Sequence, residues 1–291
     1  QTGDVIDSVL QRSGVNDLST IVLTSDDTYR PTVAYFTLRY WGFPKDKIKV
    51  LNGFNAGWDA AYPGTRTTET PADVQGNPYN FSVRNNGKLN DQLRYSIAEV
   101  IQAVDANNTS LTATGERTFN IVQNTTGTPT LATAIGISQG AFHVSNVFNS
   151  ADDIAAVLDA ADFDYDLPTI THCGSGLSCT PIFFALDAIL GLNISVWDGS
   201  TGQWRAYGAA FSDETIAPEA WNVNTNDRST SAQTRRENDP AIDSELLNDF
   251  LRIQDISDPT FNQIEEEDKL YMESGGEDGA PEAGADVEGN C

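Results

Sequence analysis

The sequence predicts an α/β fold of two similar domains, each with a mainly parallel sheet flanked by helices. The first observation behind this is an internal repeat, because Ser19–Trp58 recurs as Pro168–Trp204 and one offset places Gly42 on Gly191. The second is that both copies have the pattern of strand, helix and strand with short links. Such βαβ units place their strands parallel and cover the sheet with helices.

The first copy follows a helix that we predict at Val5–Arg12. A β-branched run at Thr20–Leu23 predicts a buried strand, and the apolar segment Thr32–Trp41 predicts a helix. Ile48–Leu51 predicts a second strand that ends in an Asn-Gly turn. This copy lacks a counterpart of residues 90–150, so we expect the first domain to be N-terminally incomplete. A separate N-terminal fragment is therefore an expected partner.

The second copy repeats these elements and adds others before them. Its strands are predicted at Thr169–Thr171 and Ile194–Trp197, with a helix at Pro181–Leu190 between them. The elements predicted upstream are a helix at Tyr95–Val104, a strand at Thr118–Val122, a turn and strand within Gly136–Val144, and a helix at Ala151–Ala160.

Composition sets the expected domain boundaries. Residues 60–90 are rich in Pro, Gly, Asn and Thr and indicate a linker, so the first domain with its linker is expected at 1–85. The second domain is expected at 86–222. An extension at 223–291 is expected to hold one docking helix at Asp243–Ile253, followed by a disordered acidic tail from about Glu273.

The charge balance excludes some partners. Among 291 residues, 42 are acidic and 17 are basic, which gives a net charge of −25. Such a surface repels phosphate backbones, so no nucleic-acid partner is expected. No apolar run is long enough for a membrane span. The acidic composition is typical of a secreted or salt-adapted protein, and we expect an extracytoplasmic location.

The sequence offers few ligands for a metal ion. It contains 3 Cys and 2 His and has no CxxC pair, so no metal site is expected. The acidic run Asp162–Asp166 does not continue as an EF-hand, because Leu167 and Pro168 follow where the Gly of that loop is required.

The segment THCGSGLSCT carries the main candidate for chemistry. Cys173 follows a predicted strand and precedes a helix, where backbone N–H groups and the helix dipole favour an anion. Gly174 and Gly176 allow the backbone to curl there. Cys179 stands where the Cys-x5-Arg loop of cysteine phosphatases requires Arg, so phosphate transfer is not expected. The alternative is that Cys173 is only a small buried residue at the end of a strand.

These motifs resemble the rhodanese (sulfurtransferase) family. The resemblance rests on a strand that ends in CGSGLS, the following helix and strand, and the DG-x4-W motif at Asp198–Trp204. GISQGAFHV, at 136–144, resembles a further family segment. The tandem repeat is similar to thiosulfate and 3-mercaptopyruvate sulfurtransferases, and CGSGLS is closer to the loop of the mercaptopyruvate type.

The resemblance implies two rhodanese-like domains and a sulfurtransferase reaction through a persulfide on Cys173. It implies a small sulfur donor and a thiol or cyanide acceptor as partners, and no cofactor. Gln123 and Asn124 stand where active members usually carry Asp and Arg. Thr24 replaces the cysteine in the first copy, which is expected to be catalytically silent. The expected substrate-binding residues are Gly174, Ser175, Gly176, Leu177, Ser178 and Arg205.

Alternatives remain open at this point. A non-catalytic binding or structural module of an extracytoplasmic assembly would keep the fold without turnover, and a redox sensor would use Cys173 alone. Cys179 is expected to pack inside the following helix, which would hold the two thiols apart. The other reading is that Cys179 resolves an oxidised Cys173. His172 and His143 are expected to be structural, and Trp58 and Trp204 are expected to anchor the core.

Overall fold

The computed structural model describes residues 3–67, 69, 81–86, 88–131, 133–204 and 263–273. The first half contains the elements α1 (Gly3–Arg12), β1 (Ile21–Leu23), α2 (Tyr29–Tyr40), β2 (Ile48–Val50) and α3 (Phe54–Ala61). β1 and β2 run parallel and form a two-stranded sheet. No other described strand pairs with the free edge of β1, and association with an N-terminal fragment stays a prediction.

The second half contains a larger sheet. Its elements are α4 (Val83–Asn86), α5 (Ile97–Ala113), β3 (Asn120–Gln123), β4 (Ile135–Gly136), β5 (His143–Val144), β6 (Val147–Phe148), α6 (Ala151–Ala160), β7 (Thr169–His172), α7 (Thr180–Phe184) and β8 (Ile194–Val196). The order β4-β3-β7-β8 is parallel throughout. β7, which leads to Cys173, is therefore a central strand.

The sheet separates two layers of packed side chains, and the alternation of side chains along β3 distributes residues between them. Val122 faces the layer that holds α2 and α7, whereas Ile121 faces α5. The layer with α2 and α7 is continuous between the two halves of the chain. The parallel α/β architecture predicted from the sequence is confirmed.

Several elements differ from the prediction. α5 begins at a capping box formed by Ser96 and Glu99, and it extends well beyond Val104 because no Gly or Pro interrupts it before Ala113. α3 and a further helix, α8 (Gln263–Glu273), were not predicted. α8 packs against α1 and α4, and the Tyr271 hydroxyl donates to Asp7 Oδ2 over 2.8 Å. The helix predicted at 243–253 and the acidic tail beyond 273 lie outside the described residues.

Within the part of the chain that the structure describes, no helix combines the length and apolarity that crossing a bilayer requires.

Candidate active site

Cys173 lies where the central strand β7 ends and the loop to α7 begins. Its side chain is only 2% exposed. Cys179 occupies the residue before α7, and Pro181 stands in the first turn of that helix, where its missing N–H has no helical partner to lose. The segment 174–178 therefore curls between the end of a strand and the start of a helix.

Ser200 fixes the base of this loop. Its Oγ accepts hydrogen bonds from the backbone N–H groups of Cys173 (3.1 Å) and Gly176 (3.0 Å) and donates to the Trp197 carbonyl (2.9 Å). Thr201 Oγ1 donates to the carbonyl oxygen of Cys173 over 3.0 Å. The DG-x4-W motif therefore acts as a clamp that holds the loop.

Gly176 is required by the same clamp. Its φ is +78°, and a Cβ at this position would lie 2.2 Å from the carbonyl oxygen of Asp198. Any side chain would push the loop away from the turn that holds it.

Asn124 supports the other side of the loop. Its Nδ2 donates to the carbonyl oxygen of Ser178 (2.8 Å) and to Ser178 Oγ (2.9 Å). Its Oδ1 accepts from the backbone N–H of Gln139 over 2.8 Å. The amide therefore fastens the loop to the segment at 136–144 without supplying a charge.

The groups around the Cys173 side chain make its thiol acidic. The pKa of Cys173 is lowered to about 4, and the largest cause is a hydrogen bond from the Cys179 thiol. Burial acts in the opposite direction, while the Ser178 hydroxyl and the backbone N–H groups of Ser175 and Cys179 lower the pKa further. Cys173 is therefore a thiolate at neutral pH.

Cys179 is the neutral member of the pair. Its side chain is fully buried, and its thiol donates to the Gly176 carbonyl oxygen over 3.4 Å. The hydrogen bond to the Cys173 thiolate and the loss of solvent raise its pKa well above the ordinary value. The expectation that the helix holds the two thiols apart is wrong, because Cys179 precedes α7 and turns back toward Cys173.

The two histidines differ from this pair. His172 is buried against the Trp197 ring, 5.3 Å between centroids, and neither ring nitrogen has a hydrogen-bond partner. Burial lowers its pKa to about 4. His143 Nε2 lies 2.8 Å from Gln139 Oε1. Neither histidine ring forms a hydrogen bond with Cys173 Sγ, in agreement with the alternation of residues along the strand that was predicted for His172.

In the first half of the chain, the loop that corresponds to the Cys173 loop contains a carboxylate of its own. Asp27 Oδ1 accepts from the backbone N–H groups of Tyr29 (3.0 Å) and Arg30 (2.9 Å) at the start of α2. Thr24, which corresponds to Cys173, donates its hydroxyl to Asn55 Oδ1. In the first half, the Asp27 carboxylate therefore lies at the N-terminus of the helix that follows the loop. In the second half, the corresponding loop holds the Cys173 thiolate instead.

The structure brings together five of the six predicted substrate-binding residues, all in the loop, and Arg205 lies outside the described residues. Gly174 and Ser175 are exposed, and Leu177 is nearly half exposed. Trp204 is buried as predicted, but Trp58 is 40% exposed and stacks on Tyr62, so its assignment to the core is wrong.

Sequence reasoning missed Asn124 and Ser200 as supports of the loop, and it missed Arg94. The Arg94 guanidinium lies 2.7 Å from Asp198 Oδ2. The DG-x4-W motif was a usable signal for Ser200, which lies inside it. No local pattern marks Arg94, because its partner is distant in sequence.

Within the described residues, no group of three or more His, Cys, Asp and Glu side chains is placed to hold a metal ion.

Comparisons with known proteins place this geometry in context. No family model matches the chain. A 3-mercaptopyruvate sulfurtransferase from Escherichia coli K12 is 24% identical over 207 residues, which cover 68% of this chain and 69% of that protein.

Two solved structures share the fold. The Escherichia coli protein SseA, described as a 3-mercaptopyruvate sulfotransferase with the rhodanese fold, matches with a TM-score of 0.54 and 18% identity, over 67% of this chain and 72% of that one. Tum1 from Saccharomyces cerevisiae matches with a TM-score of 0.56 and 20% identity, over 76% and 74%. The predicted rhodanese fold and the resemblance to sulfurtransferases are confirmed. The similarity to these enzymes also supports the prediction that this chain is an enzyme.

Proposed function

We propose that this chain is a sulfurtransferase that carries a sulfane sulfur as a persulfide on Cys173. The observation that carries the proposal is the position of Cys173, which is buried where β7 passes into a loop held by Ser200 and Asn124; the lowered pKa of its thiol agrees with this. Similarity to a 3-mercaptopyruvate sulfurtransferase supports the same class of reaction. A residue that served only to fill the end of a strand would not need a depressed pKa.

In the first half-reaction the Cys173 thiolate attacks the terminal sulfur of the donor. With thiosulfate, the bond between the two donor sulfurs breaks and sulfite leaves with the electron pair. With a mercapto acid such as 3-mercaptopyruvate, the carbon–sulfur bond breaks, and the carbon takes up a proton as the keto acid leaves. The new bond joins Cys173 Sγ to the transferred sulfur.

In the second half-reaction a thiol or cyanide attacks the outer sulfur of the persulfide. The bond to Cys173 Sγ breaks, and its electron pair restores the thiolate. Backbone N–H groups of the loop, which includes Gly174, Ser175, Gly176, Leu177 and Ser178, stabilise the negative charge in both steps. The chemistry uses no metal or organic cofactor. Arg205 as a donor to the substrate and the extracytoplasmic location stay predictions.

The first half supports the site without reacting. The carboxylate of Asp27 occupies the anion position of its loop, and Thr24 is no nucleophile under these conditions. We infer that this half serves as a wall of the site rather than as a second reaction centre.

The test combines the rate of Cys173 alkylation across pH with intact mass after incubation with thiosulfate or 3-mercaptopyruvate. We expect a rate that is already constant above about pH 6, whereas an ordinary thiol responds near about pH 8.5. We also expect a gain of one sulfur atom that Cys173→Ser abolishes. The alkylation measured with this variant is subtracted as the contribution of the other cysteines. A slow thiol that gains no sulfur from either donor would leave the rhodanese fold as a binding module.

A further inference from the structure

A cavity of about 300 Å³ borders the loop that holds Cys173. One wall is apolar and comes from Phe36 and Tyr40 of α2 and from Trp41, the residue that follows it. The loop supplies the opposite wall through Ser175, Gly176 and Leu177. The cavity is large enough for a small metabolite, and it is lined by the loop that follows Cys173 although Cys173 itself does not line it.

Arg94 and Asp198 give this cavity one positive and one negative group. Among the described residues that line it, Arg94 is the only cation and Asp198 is the only carboxylate. The Arg94 side chain is 15% exposed, whereas that of Asp198 is 41% exposed, so the positive charge lies deeper. The Tyr40 ring, 5.8 Å from the guanidinium, holds Arg94 from one side.

The positive charge of Arg94 already has two carboxylate partners. Asp198 lies 2.7 Å away and Asp268, from α8, lies 3.9 Å away. A purely anionic ligand would therefore gain little net attraction, and the overall charge of −25 repels it as it approaches. A ligand that carries both charges avoids this repulsion and provides each member of the Arg94–Asp198 pair with a partner.

We propose that this cavity binds the thiol acceptor and that the acceptor is a small zwitterionic thiol of the amino-acid type. Its carboxylate pairs with Arg94, its ammonium group pairs with Asp198, and its sulfur reaches the loop. This inference rests on the proposed function. The acceptor thiolate forms a bond to the outer sulfur of the Cys173 persulfide, the bond to Cys173 Sγ breaks, and the thiol proton passes to solvent.

The experiment loads Cys173 with sulfur and measures how fast four thiols remove it. The thiols are cysteine (zwitterion), cysteamine (ammonium only), 3-mercaptopropionate (carboxylate only) and 2-mercaptoethanol (neutral), compared at equal thiolate concentration. We expect cysteine to be faster than each of the others by about tenfold, since each charged contact is worth that much or more.

Variants separate recognition from a structural role. Asp198→Asn should slow cysteine and cysteamine, Arg94→Gln should slow cysteine, and neither variant should change the rate of 2-mercaptoethanol. Arg117→Gln is the matched control, because Arg117 also pairs with an aspartate, Asp162, but on the surface. A variant that merely disturbs the fold would slow all four thiols equally. That result, or equal rates for all four thiols with the unmodified protein, would overturn the inference while leaving the sulfurtransferase intact.

A second measurement does not depend on sulfur loading. S-methylcysteine, which cannot accept sulfur, should protect Cys173 from alkylation, and 3-(methylthio)propionate should not. If Cys173 gains sulfur but S-methylcysteine does not protect it from alkylation, the acceptor site is contradicted and the sulfurtransferase reaction is not. Protection without loading would support a zwitterion site but would contradict the proposed function.

Discussion

Cys179 takes the place of a cation in this site. Thiolates in proteins are usually stabilised by Lys, Arg, His or a helix N-terminus, but residues 173–179 contain no basic side chain. The Cys179 thiol, which burial and the neighbouring negative charge keep protonated, is instead the largest cause of the lowered pKa of Cys173. The acidity of Cys173 therefore depends on a neutral neighbour that the sequence pattern assigned to the helix.

We predict that Cys179→Ala raises the pKa of Cys173. The variant removes the S–H donor and leaves the serine and backbone donors. Cys179→Ser is the matched control, since its hydroxyl retains a donor at the same position. The measurement is the pH dependence of Cys173 alkylation, and the profile of the alanine variant should move toward higher pH. Coincident profiles for the unmodified protein and the alanine variant would show that the hydrogen bond between the thiols does not set the acidity.

His172 makes stability depend on pH in the acid range. Its folded pKa of about 4 lies below the ordinary value of 6.5 because burial opposes its charged form. Between these values the unfolded chain binds more protons than the folded one, so stability rises with pH from about 4 to 6.5.

We predict that His172→Leu removes this dependence. From pH 7.5 to pH 5.0 the unmodified protein should lose about 2 kcal/mol of unfolding free energy more than the variant. Urea unfolding at both pH values measures the difference, and comparing the two proteins cancels all other titrating groups. An equal loss in both proteins would mean that His172 takes up its proton in the folded state.

The helices α2 and α7 meet through a charged centre that joins the two halves of the chain. Asp187 lies in a π-helical stretch, Ala185–Ile189, that continues α7. Its carboxylate accepts hydrogen bonds from the Tyr35 hydroxyl and the Arg39 guanidinium and forms an ion pair with Lys45 Nζ at 3.1 Å. Burial acts to raise its pKa, but these partners prevail and the pKa of Asp187 is lowered.

We predict that Asp187→Asn destabilises the fold by about 3 kcal/mol, because two partly buried cations lose their counter-charge. Asp59→Asn is the matched control, since Asp59 pairs with Arg66 at a half-exposed site, and it should cost at most about 1 kcal/mol. Urea unfolding of both variants measures the difference. Equal, small losses would mean that solvent screens Asp187 despite its burial.

Elements set by local pattern were predictable from the sequence. β1, β2, β7 and β8 fall within about one residue of their predicted bounds, because β-branched runs between turn residues specify short strands. The prediction that β1 is buried is wrong, since Val22 is 58% exposed. α6 matches its predicted range, and Ser150, whose side chain accepts from the backbone N–H of Asp153, caps its start.

What the sequence did not reveal depends on distant partners. Asp187 resembles an isolated acid in an apolar helix, and its partners Arg39 and Lys45 lie in the other half of the chain. α8 gains its stability from α1 and α4, which also lie far from it in sequence. The position of Cys173 was predictable from a local motif, whereas the contact with Cys179 required the path of the loop.

At the scale of the whole molecule, the two halves share one core. Phe36 packs edge-on against Phe183 with ring centroids 5.2 Å apart, and Phe54 packs against Phe148 at 6.3 Å. The backbone N–H of Phe148 also donates to Asn52 Oδ1 over 2.8 Å. The described sheet of the first half has two strands, too few for independent stability in water. Its stability therefore comes from the second half.

We predict that the described halves unfold together and that Phe36→Ala lowers the stability of both. Removing a buried phenylalanine costs about 3–5 kcal/mol through lost burial and the cavity that remains. Hydrogen exchange of peptides across a urea series measures each half separately. Peptides from β1 and α2 should share one midpoint with peptides from α5 and β3, and the variant should move both midpoints equally.

Val144→Ala is the control for this experiment, because Val144 is exposed and its truncation should leave both midpoints unchanged. If Phe36→Ala moved only the midpoint of the first-half peptides, the second half would be stable without its neighbour. The contacts between the halves would then form a docking interface between two folding units. A common shift instead requires that the Cys173 loop unfolds together with the wall that the first half provides, because the same aromatic side chains stabilise both.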